Sequence, residues 1–301
     1  MKSDIKTEYN FNSCKKLIDD ESIAILIPEN IVKNTKYDQL RIALYVYLFV
    51  RRGMDDIVYM SISDFFSFIN KSIDRHKGAI FDKFCMLLEM FRNDGIVDYD
   101  NIDIQKSNKQ FFKIRFNSLN FNESDVSFCI LYWDEVKKIL NYKNKETKNP
   151  YFNNLNDLIV FSYLRFVIPN RPNTLPVEYQ DIKTMIRKYP EAYNCYYKNI
   201  ADALNVNARN VSASVLNLEN LDLIHHQVLY RTKFTNNEKD AWKTEHTIFV
   251  NCYKRSKGYL LATGDGYYQK EIDNKIALLN NLFKAQSKKT KKKSNSNKNG
   301  E

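Results

Sequence analysis

The stretch that decides the fold, residues 200–224, reads IADALNVNARNVSASVLNLENLDLI. Apolar residues recur at helical spacing in Ile200–Leu204 and in Val211–Leu218, so each run predicts a helix with one apolar face. The turn between them, Asn205–Asn207, supplies two turn-forming asparagines and a valine that can pack between the helices. An apolar strand pattern, Leu223–Tyr230, follows directly. The stretch therefore predicts a helix-turn-helix leading into a β-wing, with one face of its second helix free to enter a DNA major groove.

The same order of elements is predicted twice along the chain. The upstream copy has an apolar helix, a strand, two helices and two strands: Asp38–Arg52, Ile57–Met60, a helix capped by Ser61 or Ser63, Arg75–Asn93, Ile96–Tyr99 and Phe111–Phe116. The downstream copy has an apolar helix, the two helices of the opening stretch and two strands: Asp157–Ile168, Tyr197–Leu204, Ala208–Leu221, Leu223–Tyr230 and Thr247–Cys252. Three prolines follow the first predicted helix of the downstream copy: Pro169, Pro172 and Pro176.

Local matches between the two copies support a duplication. Six residues of each copy align with identical spacing: Phe84, Leu88, Phe91, Gly95, Ile96 and Val97 against Val211, Val215, Leu218, Asp222, Leu223 and Ile224. Asp222 stands where the upstream copy has Gly95, and aspartate is one of the few non-glycine residues that tolerates a positive φ. We therefore predict a mostly helical α+β protein with two winged-helix domains in tandem.

Composition and pattern divide the chain into six predicted segments. The first three are an N-terminal extension (residues 1–19), a first winged-helix domain that carries the strand and helix of Phe128–Leu140 (residues 20–140), and a linker rich in Asn and Lys (residues 141–154). The last three are a second winged-helix domain (residues 155–257), an amphipathic C-terminal helix (residues 258–286) and a disordered basic tail (residues 287–301). The C-terminal helix has two interpretations, docking on its own domain or binding a partner helix.

The placement of charge favours a polyanionic partner. The formal net charge is +10, and the tail from Ser287 to Glu301 contributes half of it through six lysines and one glutamate. Such a tail attracts phosphates without sequence preference, although a purely solubilising role explains it as well.

No apolar run reaches the length of a membrane span, so we expect no membrane partner. Five cysteines without pairing logic and an N-terminus without the apolar core of a secretion signal favour a cytoplasmic location.

Base-reading residues are predicted on the second helix of the helix-turn-helix. If its apolar residues point inward, five polar side chains lie wholly or partly outward and can contact base edges: Asn207, Arg209, Asn210, Ser212 and Ser214. Asn217 belongs to the same predicted face. Arginine pairs with guanine through two hydrogen bonds, and asparagine does the same with adenine. The segment is nearly neutral, so a protein-binding or dimerisation role for this fold is the alternative interpretation.

Phosphate contacts are predicted in and around the downstream wing. Basic residues outnumber acidic ones there, and six of them are assigned to the DNA backbone: Arg231, Lys233, Lys239, Lys243, Lys254 and Arg255. A solvated loop in a lysine-rich protein is the alternative interpretation. The upstream copy is neutral overall, which favours a dimerisation or loading surface in the first domain.

The sequence carries no recognisable catalytic set, so we predict a non-enzymatic protein without cofactor or metal. It has no Gly-rich loop ending in Lys-Ser or Lys-Thr, which excludes a P-loop nucleotide site. It has no Cys-x-x-Cys pair for zinc. His225 and His226 are adjacent on a predicted strand and therefore point to opposite faces, which prevents joint chelation.

The segment before and after Gly53 resembles a known family. Residues 25–53 read ILIPENIVKNTKYDQLRIALYVYLFVRRG and residues 57–69 read IVYMSISDFFSFI. With Pro28, Tyr37, Leu44 and Tyr47 at comparable places, this segment resembles the N-terminal region of replication initiators from plasmids and mobile elements of low-GC Gram-positive bacteria. It is also similar to primosomal helicase-loading proteins of that lineage, and the second winged helix resembles the tandem initiators of another plasmid class.

Fold and resemblance together predict a sequence-specific protein that binds double-stranded DNA and initiates plasmid- or phage-type replication. We expect binding at origin repeats and self-association through the first domain. A replicative helicase or its loader is a further partner that the resemblance allows. A winged-helix transcriptional regulator and a winged-helix protein-binding adaptor are the alternatives.

Overall fold

The computed structural model of the chain describes residues 23–53, 55–76, 78–100, 108–117, 127–142, 153–168, 192–233, 243–251 and Ala277. Within this part, the protein is mixed α and β, with helices and small antiparallel sheets. The elements in chain order are β1 (Ala24–Pro28), α1 (Glu29–Lys33), α2 (Arg41–Arg51), β2 (Ile57–Met60), α3 (Ile62–Phe68), α4 (Ile80–Asn93), β3 (Val97–Asp98), β4 (Phe112–Phe116), β5 (Phe128–Tyr132), α5 (Trp133–Asn141), α6 (Asn154–Val167), β6 (Ala192–Tyr196), α7 (Tyr197–Leu204), α8 (Ala208–Asn220), β7 (Ile224–Lys233) and β8 (Lys243–Asn251).

The chain forms two compact units, and the first is discontinuous in sequence. The first unit comprises Met1–Val167 and Tyr197–Leu223, so it contains β1 to β5 and all the helices from α1 to α8. The second unit comprises Ile168–Tyr196 and Ile224–Glu301, and its described elements are the strands β6, β7 and β8. Among the predicted segments, residues 1–19, 287–301, most of 141–154 and all of 258–286 except Ala277 lie outside the described residues.

An order of helix, strand, helix, helix, strand and strand occurs twice, as the sequence predicted for all but one element. The first series is α2–β2–α3–α4–β3–β4, and the second is α6–β6–α7–α8–β7–β8. Each series has a three-stranded antiparallel sheet with its last strand in the middle, β2–β4–β3 and β6–β8–β7. The sequence analysis did not predict β6, because its residues, AYNCY, lack apolar alternation and its partner β8 lies some fifty residues downstream.

The helix ends of the two series use the same backbone conformations. Asn70 after α3 and Asn205 after α7 both have φ of 54°. Gly95 after α4 has φ of 72°, and Asp222 after α8 has φ of 56°, which confirms the prediction that these residues form equivalent turns. In each copy, the N–H of the next residue donates a hydrogen bond back to the helix. The Ile96 N–H donates to the Phe91 carbonyl at 2.8 Å, and the Leu223 N–H donates to the Leu218 carbonyl at 3.0 Å.

The structure corrects one predicted boundary in the first unit and adds a short helix. Helix α1 begins directly after Pro28, because a proline with φ of −64° fits the start of a helix, where its missing N–H is not needed. The helix expected from Arg75 begins at Ile80, since Gly78 has φ of 76° and donates its N–H to the Asp82 carboxylate at 2.7 Å. The connection between α3 and α4, residues 69–79, is therefore longer than the connection between α7 and α8, residues 205–207.

The core of the first unit is apolar and continuous through its helices. Strands β1 and β5 pair antiparallel, with Ala24 opposite Tyr132, and β5 leads into α5 as the sequence predicted. In α2, every residue from Arg41 to Phe49 is buried, and the Arg41 guanidinium donates to the main-chain carbonyls of Ile31 and Val32. None of the helices in the described part is both long enough and apolar enough to cross a membrane.

The turn at Gly95 gives a test of the helix-end assignment. Gly95→Ala is expected to lower the free energy of unfolding by about 1 kcal/mol, because an L-residue is strained at positive φ. A Cβ at this position meets no atom within 4 Å, so the loss comes from the backbone and not from a clash. Urea unfolding followed by circular dichroism measures it.

Gly95→Asn is the matched control, because asparagine tolerates the left-handed region better than alanine. The asparagine variant is expected to lose clearly less stability than the alanine variant. Equal losses in the two variants would show that the side chain at this position, and not its φ, sets the stability.

Candidate nucleic-acid interface

Helices α7 and α8 form the helix-turn-helix that the sequence predicted. Helix α7 ends at Leu204, and the chain reverses at Asn205, where the Val206 N–H donates to the Ala201 carbonyl at 3.0 Å. Asn207 caps α8, since its side-chain oxygen accepts a hydrogen bond from the Arg209 N–H at 2.8 Å. The first turn of α8 is thereby fixed by the same asparagine that the sequence analysis assigned to DNA.

The apolar face of α8 packs inside the first unit. Val211, Val215 and Leu218 are fully buried, and α8 lies against α6 and α7. Ile200 and Leu204 of α7 are buried as well. The periodicity of the opening stretch therefore identified the buried side of both helices correctly.

The opposite face of α8 is polar at its N-terminal end. Asn207, Ala208 and Arg209 are exposed, while Asn210 and Ser212 are partly buried. Farther along the helix, Leu216 is 51% exposed, and Asn220 is exposed too. Four of the five residues predicted to contact base edges are therefore at least partly accessible, and they are concentrated in the first two turns.

Ser214 and Asn217 correct the predicted face. Ser214 is only 1% exposed and Asn217 is 5% exposed, so neither can contact a base edge. Both face α6, where the Asn217 side-chain amide donates to the Asp157 carboxylate at 3.1 Å and Ser214 also forms a side-chain hydrogen bond with Asp157. Helical spacing placed these residues near the edge of the face, but it could not reveal a buried acceptor supplied by another helix.

Asp157 is the residue of this site that the sequence analysis missed. It lies on α6 and is 1% exposed. Burial raises the pKa of its carboxyl from 3.8 to about 7, and the hydrogen bonds from Ser214 and Asn217 partly oppose that rise. The sequence contains one signal for it, an acidic residue directly before the apolar run Leu158–Phe161.

The raised pKa of Asp157 predicts a stability that depends on pH. The folded protein keeps the proton on this carboxyl over the interval from about pH 4 to about pH 7, where the unfolded chain releases it. Because the folded state then binds more protons, this group makes the free energy of unfolding fall as the pH rises through that interval. The contribution is at most about 1.4 kcal/mol per pH unit. Asp157→Asn is expected to remove it, as measured by urea unfolding at pH 5, 6, 7 and 8.

Asp202→Asn, which changes an exposed carboxyl on α7, is the control for that series and is expected to follow the wild-type pH dependence. If the free energy of unfolding of Asp157→Asn falls with pH as steeply as that of the wild type, the Asp157 carboxyl is not the group that holds the proton in the folded protein.

Strands β7 and β8 form the hairpin that follows the helix-turn-helix in sequence. The strands are longer than predicted, and their register places Lys233 opposite Lys243 and Arg231 opposite Glu245. The register shifts between Val228 and Tyr230, as at a β-bulge. Three of the predicted phosphate contacts, Arg231, Lys233 and Lys243, therefore lie on the paired strands at the end where residues 234–242 connect them. The other three, Lys239, Lys254 and Arg255, lie outside the described residues.

The described residues offer no arrangement for metal chemistry. No group of three or more His, Cys, Asp or Glu side chains in them is placed to hold a metal ion. Three cysteines of this part are free thiols, Cys85, Cys129 and Cys195, and burial raises the pKa of each. A raised pKa disfavours the thiolate, which is the nucleophilic form.

No protein-family model matches the chain, and no curated protein is significantly similar to it. What the site can do is therefore argued from its own geometry. That geometry is a polar helix N-terminus, exposed at Asn207 and Arg209 and supported by a buried polar contact with α6.

Proposed function

We propose that the chain is a sequence-specific double-stranded DNA-binding protein with two winged-helix domains in tandem. The observation that carries the proposal is the exposed, polar N-terminal end of α8, the second helix of a helix-turn-helix. In helix-turn-helix proteins, the N-terminal residues of this helix contact base edges in the major groove.

The chemistry of this end suits DNA. Arg209 is exposed and carries the fork of donors that matches guanine, and Asn210 can pair with adenine. The Asn207 side-chain oxygen already accepts the Arg209 N–H, so Asn207 offers its side-chain amide N–H groups to a base. The positive end of the helix dipole at this terminus also attracts phosphate. In this proposal, the first two turns of α8 lie in the major groove, where Arg209 and Asn210 read base edges.

The topology supports a wing in each copy. A winged helix places a strand between its first and second helices and pairs it with the last strand of the hairpin. The strand orders β2–β4–β3 and β6–β8–β7 fit that arrangement, and β7 and β8 carry Arg231, Lys233 and Lys243. We assign these three residues, together with Lys239, Lys254 and Arg255, to phosphate contacts. The lysine-rich tail adds attraction without sequence preference.

The biological role follows from the resemblance in residues 25–69. We propose that the protein initiates replication of a plasmid- or phage-type element by binding origin repeats, as a non-enzymatic factor. Self-association through the first domain would place protomers on neighbouring repeats, and a replicative helicase or its loader would be the downstream partner.

The arginine at the start of α8 gives the direct test. Arg209→Ala is expected to weaken binding to the specific duplex by about 1 to 3 kcal/mol, because a bidentate contact to guanine is lost. Binding is measured by gel shifts with the DNA upstream of the gene and with random duplex of equal length. Arg92→Ala, which removes an exposed arginine near the end of the corresponding helix α4, is the control and is expected to bind normally.

Two results would contradict the assignment. Equal affinity of the wild-type protein for random and upstream duplex would remove the sequence-specific part. Absence of any salt-dependent affinity for DNA would favour the protein-binding adaptor instead.

Deleting the gene from the element that carries it separates replication from regulation. Loss of copying is expected, and supplying the wild-type protein in trans should restore it. Supplying the Arg209→Ala variant should restore it poorly. Unchanged copying together with altered transcription would assign the protein to regulation, the alternative function of the same fold.

A further inference from the structure

The sheet β2–β4–β3 has one buried face and one open face. Its inward side chains are apolar and buried: Val58, Met60, Val97, Phe112, Ile114 and Phe116. The alternate residues point to the other face, and two of them are large aromatics, Tyr59 and Phe111, each 64% exposed. A half-exposed sheet normally carries polar residues on its open face, so two exposed rings there require an explanation.

The strand register relates the two aromatic positions to the basic residues of β4, with Phe111 directly before the first residue of β4. Tyr59 on β2 lies directly opposite Lys113 on β4, and Phe111 lies two residues before Lys113 on the same face. The diagonal relation between Tyr59 and Phe111 separates their Cα atoms by roughly 7 to 8 Å. Arg115, two residues beyond Lys113, is exposed on this face as well. Aromatic and basic side chains therefore alternate across neighbouring strands.

The balance of charge on this face is positive. Lys113, Arg115 and Lys109 are exposed, and the acidic residue in register with Arg115 is Asp98 on β3, the strand at the far edge. The positive charge of the sheet therefore lies on β4, at Lys113 opposite Tyr59 and at Arg115, and Lys109 adds a further exposed charge shortly before the strand. This arrangement complements a ligand that combines flat apolar surfaces with regularly spaced negative charges.

We propose that the open face of the β2–β4–β3 sheet binds single-stranded nucleic acid. Tyr59 and Phe111 stack on successive bases, and Lys113 and Arg115 contact the phosphates between them. A single strand fits because its bases are free to lie on the rings, whereas the bases of a duplex are already stacked on one another. This site is on the first of the two repeated series and is separate from α8, so it does not depend on the proposed duplex binding.

Fluorescence anisotropy with the full-length protein tests the proposal, using labelled 15-nucleotide oligo(dT) and oligo(rU). Tyr59→Ala and Phe111→Ala are each expected to weaken binding by about 5- to 100-fold, because stacking on one base is lost. Met86→Ala is the matched control, since Met86 is 63% exposed on α4 and lies off the sheet. It is expected to bind like wild type. Thermal melting by circular dichroism shows that each variant is folded.

Two further variants separate this site from the duplex site. Lys113→Gln with Arg115→Gln is expected to reduce the slope of log affinity against log salt by about 1.4, because two phosphate contacts are lost. Arg209→Ala is expected to leave oligo(dT) binding unchanged, and Tyr59→Ala is expected to leave specific duplex binding unchanged. If the proposed duplex binding is wrong, the measurements with duplex DNA fail while the measurements with oligo(dT) and oligo(rU) are unaffected.

Preference for oligo(dT) or for oligo(rU) identifies the natural ligand as DNA or RNA, and either result supports the proposal. Three results overturn it. They are no measurable binding of either oligonucleotide, affinities of the Tyr59 and Phe111 variants within twofold of wild type, and a loss in Met86→Ala as large as theirs. Self-association that Tyr59→Ala abolishes, without oligonucleotide binding, would assign the face to a second copy of the chain.

Discussion

The burial of helix α6 is the constraint on which the first unit depends. Every residue from Asn154 to Arg165 is buried, so the polar side chains of this helix depend on partners inside the protein. Among the described residues, the Asn156 side-chain oxygen has no hydrogen-bond partner. Asn154 donates to the carbonyls that end α5, and Arg165 donates to Glu135 of α5 at 2.6 Å. Asp157 accepts from Ser214 and Asn217 of α8. Different polar groups of one helix therefore fix two other helices, and removing one partner of the ion pair would leave a buried charge uncompensated.

The same constraint explains how α8 can be both anchored and accessible. Its apolar residues and its contact with Asp157 hold one side against α6, and its exposed residues gather around the cap at Asn207. A surface whose side chains are already ordered binds more tightly than one that must become ordered on binding, because ordering costs conformational entropy. Supporting contacts from buried side chains provide that order without occupying the surface that meets the ligand.

Sequence patterns predicted most of the helices and strands because those signals are local. Apolar spacing located α2, α7 and α8, and the match between Gly95 and Asp222 identified a shared turn. The failures concern information from elsewhere in the chain. Strand β6 depends on pairing with distant β8, and the inward position of Ser214 depends on a carboxyl 57 residues upstream. The exposed rings of Tyr59 and Phe111 became notable only once the sheet showed which face was open.

The discontinuity of the first unit has a consequence for synthesis on the ribosome. Residues up to Val167 emerge well before Tyr197–Leu223, yet both segments belong to one compact body. Until the later segment leaves the exit tunnel, the side of α6 that α8 will cover stays open to water or to chaperones. A nascent or truncated chain that stops before residue 197 would display this apolar surface, with Asp157 solvated and free to ionise. Completion of the core thus awaits translation of the segment that forms α7 and α8.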